Sequence, residues 1–219
     1  MVSFTVTKYA QSCFLLDYKG LKILIDPGIY CYAQGFTPAE WPKVDVVLLT
    51  HSHLDHTRPE AIQVIDRKSH PRVLANQEVA RTLSEYAVHA EVLKPKDRIT
   101  VKGVTITGVW QIHGELPNRM PKPEVIGFLI DDAFYHPGDT VATDDPPYAD
   151  VVAVPICGQV TMDPFEAAGW VKLIKPRFTI PMHYHNPKFI TDPQLFVQAM
   201  DGSNVEVRVL SDGESLMVE

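Results

Sequence analysis

The sequence of 219 residues has no hydrophobic run long enough to cross a bilayer. Its longest apolar stretches, such as residues 151–156, fall far short of the roughly 20 residues that a membrane span requires. The amino terminus lacks the basic and apolar regions of a secretory signal. A net charge of −7 leaves no positive excess, which disfavours binding to nucleic acid or to an anionic membrane. We therefore predict a protein without a membrane segment, for which a polyanionic partner is disfavoured.

Cysteine is scarce, with only Cys13, Cys31 and Cys157, an odd number without the spacing of metal ligands. Structural disulfides are typical of secreted domains and rare in reducing compartments. We therefore predict a cytoplasmic protein without disulfides. Gly/Ser-rich linkers and internal repeats are also missing, so residues 1–219 are predicted to form a single domain.

Stretches rich in β-branched and aromatic residues alternate with stretches of helix formers, which indicates a mixed α/β fold. Strands are predicted at residues 1–6, 13–18, 21–26, 44–49, 73–75, 98–101, 104–110, 125–130, 133–136, 151–155, 178–182, 205–210 and 215–218. Helices are predicted at residues 59–66, 77–86, 164–174 and 193–200. The segment 114–124 has three prolines and few apolar residues, so it is predicted to be a surface loop.

The most informative feature is a cluster of potential metal ligands directly after the strand predicted at 44–49. Positions 50–57 read Thr-His-Ser-His-Leu-Asp-His-Thr, which places three imidazoles and one carboxylate within six positions. Zn²⁺ and similar divalent ions favour these nitrogen and oxygen donors. The alternative, a solvated histidine-rich loop, does not explain why further donors close other predicted strands. Those donors are Asp26, His113, Asp139 and His183.

Neighbouring strand ends lie at one edge of a sheet, so donors far apart in sequence can meet there. In their order along the chain, these residues resemble the motifs of the metallo-β-lactamase superfamily. The segments 26–27, 135–140 and 181–184 are most similar to a branch of small stand-alone hydrolases that includes ascorbate-6-phosphate lactonase. This resemblance implies an α/β fold of the metallo-β-lactamase type, a four-layer αββα sandwich.

The resemblance also implies the ligands of two metal ions, Zn²⁺ or Mn²⁺. One ion would be held by His51, His53 and His113, and the other by Asp55, His56 and His183, with Asp139 bridging. Asp26 would accept the spare ring N–H of a ligand histidine. The two ions would lower the pKa of a bridging water and polarise the attacked bond, which makes Asp55 and Asp139 the candidate catalytic residues. His53 stands where flavodiiron relatives need a glutamate, which favours hydrolysis over oxygen chemistry.

Several residues are candidates for substrate contact. In an extended strand His183 and His185 would project to the same face, so either could be the ligand, and the Pro-Met-His-Tyr context favours His183. The aromatic segment 28–36 could form a wall of the pocket. Gln11 stands where many members of the branch have a histidine before a Ser-Cys pair, so the lactonase activity does not transfer directly. The candidate substrate contacts are Tyr30, Arg119, Tyr184 and His185.

We therefore predict a metal-dependent hydrolase that cleaves an ester, lactone or phosphoester bond in a small-molecule substrate. A first alternative is a nuclease or phosphodiesterase acting on nucleic acid, as in RNase Z-like relatives. It would require a positive surface around the cleft, which the net charge disfavours. A second alternative is a metal-binding protein without turnover. The presence of all seven ligand positions speaks against that loss of function.

Overall fold

The structure is a computed structural model that describes residues 3–32 and 37–219. The first two residues of the strand predicted at 1–6, and the end of the aromatic segment with Phe36, lie outside this range. The chain divides into two compact units, one formed by residues 1–94 and 211–219 and the other by residues 95–210. Each unit has its own sheet, helices and core. A single domain over residues 1–219 stays a prediction.

The strands and helices alternate along the described chain as a mixed α/β fold requires. The helices are α1 (Pro59–Ser69), α2 (Gln77–Ser84), α3 (Pro164–Ile174) and α4 (Pro193–Ala199). The strands are β1 (Phe4–Lys8), β2 (Phe14–Tyr18), β3 (Leu21–Ile25), β4 (Val46–Leu49), β5 (Arg72–Ala75), β6 (Glu91–Val92), β7 (Arg98–Val101), β8 (Val104–Trp110), β9 (Ile126–Ile130), β10 (Phe134–His136), β11 (Val151–Pro155), β12 (Phe178–Met182), β13 (His185–Asn186), β14 (Phe189–Ile190), β15 (Glu206–Val207) and β16 (Ser215–Val218).

The first unit contains a seven-stranded sheet in the order β16-β1-β2-β3-β4-β5-β6. Strands β3, β4 and β5 run parallel, with Ile25 opposite Leu48 and Leu49 opposite Ala75. Helices α1 and α2 cover one face of this sheet. Their apolar side chains pack on the strands in a buried cluster that includes Val47, Leu49, Ile62, Ile65, Val79 and Leu83. The carboxyl ends of the three parallel strands therefore meet at one edge of a rigid frame.

The second unit also contains a seven-stranded sheet, in the order β15-β12-β11-β10-β9-β8-β7. Strands β10, β11 and β12 are parallel, and β8 has the same direction because β9 is antiparallel to both β8 and β10. Asp163 caps the amino terminus of helix α3, because its carboxylate accepts hydrogen bonds from two backbone N–H groups of the first turn. Helices α3 and α4 bury their apolar faces in a cluster that includes Val152, Val154, Trp170, Val171 and Phe196.

The element predictions agree closely with the structure where the hydrophobic pattern is long and regular. Helix α3 was predicted at its observed bounds, whereas the strand predicted at 205–210 is paired only over Glu206–Val207. The short strands β6, β13 and β14 were not predicted, because two residues carry no readable alternation. The proline-rich segment 114–124 is a loop with one 3₁₀ turn at Pro117–Arg119. No helix of the described chain is long and apolar enough to cross a membrane.

Candidate metal centre

In the first unit, a buried carboxylate organises the residues that follow the parallel strands. Asp26 comes directly after β3, and its Oδ1 accepts the backbone N–H of Thr50 at 2.8 Å. Its Oδ2 accepts the hydroxyl of Thr50 at 2.6 Å and lies 2.7 Å from Nδ1 of His56. All three residues are buried. Asp26 thus links the end of β4 to the last histidine of the cluster at 51–56.

The three imidazoles of this cluster lie side by side. Nε2 of His51 is 3.2 Å from Nδ1 of His53, and the ring centroids of His51 and His56 are 4.0 Å apart. His51 and His56 are buried, whereas His53 is half-buried. The hydroxyl of Thr57 donates a hydrogen bond to the carbonyl oxygen of His51 at 2.7 Å and thereby connects the two ends of the loop. Imidazole nitrogens converging in this way form the donor set that suits a divalent transition metal.

Gly28 allows a close backbone approach that holds Asp55 in the loop. A Cβ atom at position 28 would lie 1.9 Å from the carbonyl oxygen of Asp55, closer than any real contact. The adjacent N–H of Ile29 donates to the carbonyl oxygen of Leu54 at 2.8 Å. Only glycine fits position 28 in this conformation. Asp55 itself is half-buried, as expected of a ligand at the edge of a cleft.

Helix α2 supports the same loop through two side chains. Asn76 caps the helix by accepting the N–H of Val79 at 2.9 Å, and it also donates to the carbonyl oxygen of Thr50 at 3.3 Å. Ser52, between the first two histidines, donates a short hydrogen bond to the carboxylate of Glu78. No local sequence pattern predicts these contacts, because the partners are 26 residues apart.

In the second unit, three predicted ligands lie together beyond the parallel strand ends. Oδ2 of Asp139 is 3.1 Å from Nε2 of His183 and 3.8 Å from Nε2 of His113. All three side chains are buried. Nδ1 of His113 lies 2.9 Å from the carbonyl oxygen of Gly114, which fixes the orientation of its ring. One carboxylate oxygen therefore faces two imidazoles.

Cys157 lies beside this group, although its spacing in the sequence gave no indication of a site. It follows β11 just as the other donors follow their strands, which is the signal that could have revealed it. Burial raises the pKa of the Cys157 thiol, but the interaction with His183 and the hydrogen bond that Thr161 donates to the sulfur outweigh burial, so the pKa is lowered. The hydroxyl of Thr161 is 3.3 Å from its Sγ atom.

Two residues of the predicted metal centre have backbone conformations that residues other than glycine rarely adopt. Asp26 has a φ of 47° and His183 a φ of 59°, both in the left-handed region. Such conformations cost energy, and they persist where surrounding contacts hold them, often at functional sites. Here each one turns the chain sharply at the end of a parallel strand and directs a polar side chain into the buried edge.

The candidate substrate contacts differ in their exposure to solvent. The prediction that His183 and His185 project to one face of a single strand is wrong, because the left-handed φ at His183 ends β12 at Met182. His183 is buried, whereas His185 is exposed in β13. Tyr184 is 3% exposed within the core cluster, and its hydroxyl donates to Leu210. This placement favours a packing role for Tyr184.

The two other candidates lie on different segments. Arg119 is exposed in the 3₁₀ turn of the proline-rich loop. Tyr30 is half-buried in a 3₁₀ helix at Ile29–Tyr32, four residues after Asp26. Both therefore keep solvent-accessible surface, as a contact to substrate requires.

Comparison with known proteins places this fold among metallohydrolases. Igni18, a metallo hydrolase from Ignicoccus hospitalis, has a TM-score of 0.81 with 24% identity over 99% of both chains. A putative metal-dependent hydrolase from Parabacteroides distasonis has a TM-score of 0.79 with 26% identity, covering 94% of this chain and 92% of that one. The two large sheets and four α-helices in the described part of the chain match the metallo-β-lactamase fold.

The sequence comparisons define the family. The model of the beta-lactamase superfamily domain matches residues 5–183. A UPF0173 metal-dependent hydrolase of Thermococcus kodakarensis is 32% identical, covering 94% of this chain and 96% of the relative. A UPF0173 metal-dependent hydrolase of Methanocaldococcus jannaschii is 33% identical, covering 96% and 99%. The chain belongs to the metallo-β-lactamase superfamily, and the predictions of its fold class and of a hydrolase are confirmed.

Proposed function

We propose that this protein is a hydrolase with two divalent metal ions that cleaves an ester, lactone or phosphoester bond in a small-molecule substrate. The observation that carries the proposal is the presence of two groups of ligand-type side chains. Each group has the donor types and the number of donors that a Zn²⁺ or Mn²⁺ ion takes in proteins. One group is His51, His53, His113 and Asp139, and the other is Asp55, His56 and His183.

The side chains have distinct roles in this proposal. Asp139 would be a ligand of both ions, because one of its oxygens faces both His113 and His183. Asp26 keeps the proton of His56 on Nδ1 and thereby leaves Nε2 for the metal. When bound, two such ions supply an activated water as the nucleophile and polarise the oxygen of the attacked bond. Asp55, in the loop pressed against Gly28, completes the acidic part of the ligand set.

His53 supports hydrolysis rather than redox chemistry, because it stands where the resemblance to flavodiiron proteins would require a glutamate. Five of the seven members of the ligand set are histidines, and imidazole together with carboxylate suits Zn²⁺ and Mn²⁺. The relatives are named metal-dependent hydrolases, which supports the same reaction class for this chain. The acidic balance of the sequence further supports a small substrate over a nucleic acid.

The first test is the metal content of purified protein measured by inductively coupled plasma mass spectrometry. We expect about two divalent ions per chain in the wild type and a marked loss in Asp139→Ala, because its carboxylate serves both ions. His89→Ala is the matched control, since His89 is exposed and belongs to neither group. Full occupancy in Asp139→Ala would contradict the proposed ligand set.

The second test measures hydrolysis of p-nitrophenyl acetate, γ-butyrolactone and bis-p-nitrophenyl phosphate. We expect turnover of at least one of these substrates, its loss on chelation, and its return on addition of Zn²⁺ or Mn²⁺. Undiminished turnover by metal-free protein would refute a metal-dependent mechanism. Metal-loaded protein that turns over none of the substrates would leave metal binding in place and refute this substrate range.

A cytoplasmic location is part of the same proposal. All three cysteines are free thiols, and a reducing compartment preserves them. Cell fractionation followed by immunoblotting tests this location. Recovery of the protein in a secreted or membrane fraction would contradict it.

A further inference from the structure

Gln11 has a buried amide group that the fold does not use. The side chain is 2% exposed, and among residues 3–32 and 37–219 neither Nε2 nor Oε1 has a hydrogen-bond partner. Other buried polar side chains of the same unit, such as Asp26 and Asn76, make several hydrogen bonds each. A buried amide without partners is rare and destabilises the folded state, so it requires an explanation.

The backbone at Gln11 is also held in an unusual conformation. Its φ is 60°, in the left-handed region, within a tight turn between β1 and β2. The turn is closed by hydrogen bonds from Tyr9 N to Cys13 O at 2.7 Å and from Cys13 N to Ala10 O at 3.2 Å. A glycine would adopt this φ without strain, and an apolar side chain would fill the space without an unsatisfied polar group. The fold alone therefore does not explain a glutamine here.

Strand register places this turn at the same edge of the sheet as the histidine cluster. Phe14 at the start of β2 is opposite Ile25 at the end of β3, and Ile25 is opposite Leu48 in β4. The turn before β2 therefore projects from the edge that carries Asp26 and His51. Because neighbouring strands are about 4.8 Å apart, β2 and β4 are separated by about 10 Å.

Side-chain and backbone contacts connect the turn to the cluster. The thiol of Cys31 lies 3.8 Å from the carbonyl oxygen of Ala10 in the turn. Cys31 belongs to the segment after Asp26, and in that segment Gly28 presses on Asp55. The turn, the segment and the histidine cluster are thus packed in series along one edge of the sheet.

We propose that Gln11 is a specificity-determining residue that binds a hydroxyl or carboxamide group of the substrate. This inference rests on the proposed hydrolase function. A carboxamide offers two N–H donors and one carbonyl acceptor, so the complementary group must both accept and donate. A fully ionised phosphate or carboxylate only accepts, and it would leave Oε1 without a donor. Rotation of the flexible side chain brings the amide to the edge, where the substrate group takes up both hydrogen bonds.

The chemistry of the position supports this assignment. Neutral imidazole likewise has one donor and one acceptor, so histidine is the conservative replacement that keeps the hydrogen-bonding capacity of this position. A site built to bind a hydroxyl discriminates strongly against an analogue without one, because the buried polar group is then left unpaired.

The test compares metal-loaded wild type with Gln11→Met, Gln11→His and the exposed control Gln198→Met. The substrates are γ-butyrolactone and α-hydroxy-γ-butyrolactone, which differ only by a hydroxyl. We expect the wild type to prefer the hydroxylated lactone by roughly 10-fold or more in kcat/KM. Gln11→Met should abolish this preference, whereas Gln11→His should retain most of it and Gln198→Met all of it.

Thermal melting of the same proteins without substrate provides a readout that does not depend on activity. Gln11→Met should melt at a higher temperature than wild type, because an apolar side chain of similar shape removes two unsatisfied buried groups. A lower melting temperature would mean that a buried structural water satisfies the amide, and it would overturn the inference. An unchanged lactone preference in Gln11→Met would overturn it as well.

The failure of this inference differs from the failure of the proposed function. A wild type that hydrolyses esters or phosphoesters without preferring the hydroxylated lactone overturns only the role of Gln11. A metal-loaded wild type that hydrolyses none of the substrates overturns the proposed function and this inference together.

Discussion

Oδ2 of Asp26 lies 2.7 Å from Nδ1 of His56, and both side chains are fully buried. The carboxylate also accepts two hydrogen bonds from Thr50, so its position is determined from two sides. This arrangement orients the ring of His56, because an ionised carboxylate can only accept a hydrogen bond from an Nδ1–H group. Asp26, at the end of β3, is therefore expected to influence the basicity of His56, a proposed metal ligand.

Asp26→Asn should weaken metal binding by about 10–100-fold, the range typical for loss of a partner behind a ligand histidine. Asparagine preserves the size of the side chain and tolerates the left-handed φ of 47°, but its amide nitrogen cannot accept the proton of His56. Competition titration against a chromogenic chelator measures the effect. Asp17→Asn, which changes an exposed carboxylate of β2, is the control. Equal affinities in the two variants would show that Asp26 does not act through His56.

Much of this site could be predicted because its residues follow simple strand patterns. An apolar run is followed at once by Asp26 and by His183, and His51 comes one residue after such a run. The carboxyl ends of neighbouring parallel strands lie at one edge of a sheet. Donors that follow such strands are therefore expected to lie close together within a unit. The helix Pro164–Ile174 was likewise predictable, because Asp163 and Pro164 mark its start.

Other features depend on contacts that no local pattern contains. The approach of Gly28 to Asp55 and the bond from Ser52 to Glu78 join segments about 26 residues apart. The left-handed turn at His183 was missed because the surrounding residues are typical of an extended strand. Tertiary contacts stabilise that conformation, and a local sequence pattern does not contain them.

Gly28→Ala should destabilise the protein by about 1–3 kcal/mol and reduce its metal content. The added methyl would lie 1.9 Å from the carbonyl oxygen of Asp55, so the backbone of the histidine loop has to move. Chemical denaturation and metal analysis measure the two effects.

The control for this substitution is Gly169→Ala in the middle of α3. A Cβ atom there meets nothing within 4 Å, and alanine favours the helix by about 0.5–1 kcal/mol. The two substitutions should therefore change stability in opposite directions. If Gly28→Ala matched the stability and metal content of the wild type, the close approach of the two segments would not be required.

Asn76→Ala should reduce both stability and metal retention. Loss of the cap of α2 costs about 1 kcal/mol, and loss of the hydrogen bond to Thr50 O loosens the residue before His51. Asp163→Ala is the matched control, because it removes the cap of α3 at a similar cost in stability. Metal retention during dialysis against a chelator should fall only in Asn76→Ala. Equal retention at equal loss of stability would assign Asn76 a capping role alone.

The buried hydroxyl of Tyr135 should make stability fall at alkaline pH. Burial raises the pKa of this phenol well above the ordinary value of about 10, although the hydrogen bond from Gln111 Nε2 at 2.5 Å opposes the shift. The folded chain therefore keeps the proton above pH 10, whereas the unfolded chain releases it. The stabilisation is complete below pH 10 and is lost above it, with a slope of up to about 1.36 kcal/mol per pH unit.

Tyr135→Phe isolates this contribution. At pH 7–9 the variant should be about 1–3 kcal/mol less stable than wild type, because the amide of Gln111 loses its buried acceptor. That difference should stay constant up to pH 9, which serves as the internal control, and then shrink as the pH rises above 10. Urea denaturation at intervals of half a pH unit measures both curves. If the stability curves of wild type and Tyr135→Phe stayed parallel up to pH 11, the phenol of Tyr135 would titrate alike in the folded and unfolded chains. That result would contradict the prediction, which depends on the burial of Tyr135 against Trp170 in the core of the second unit.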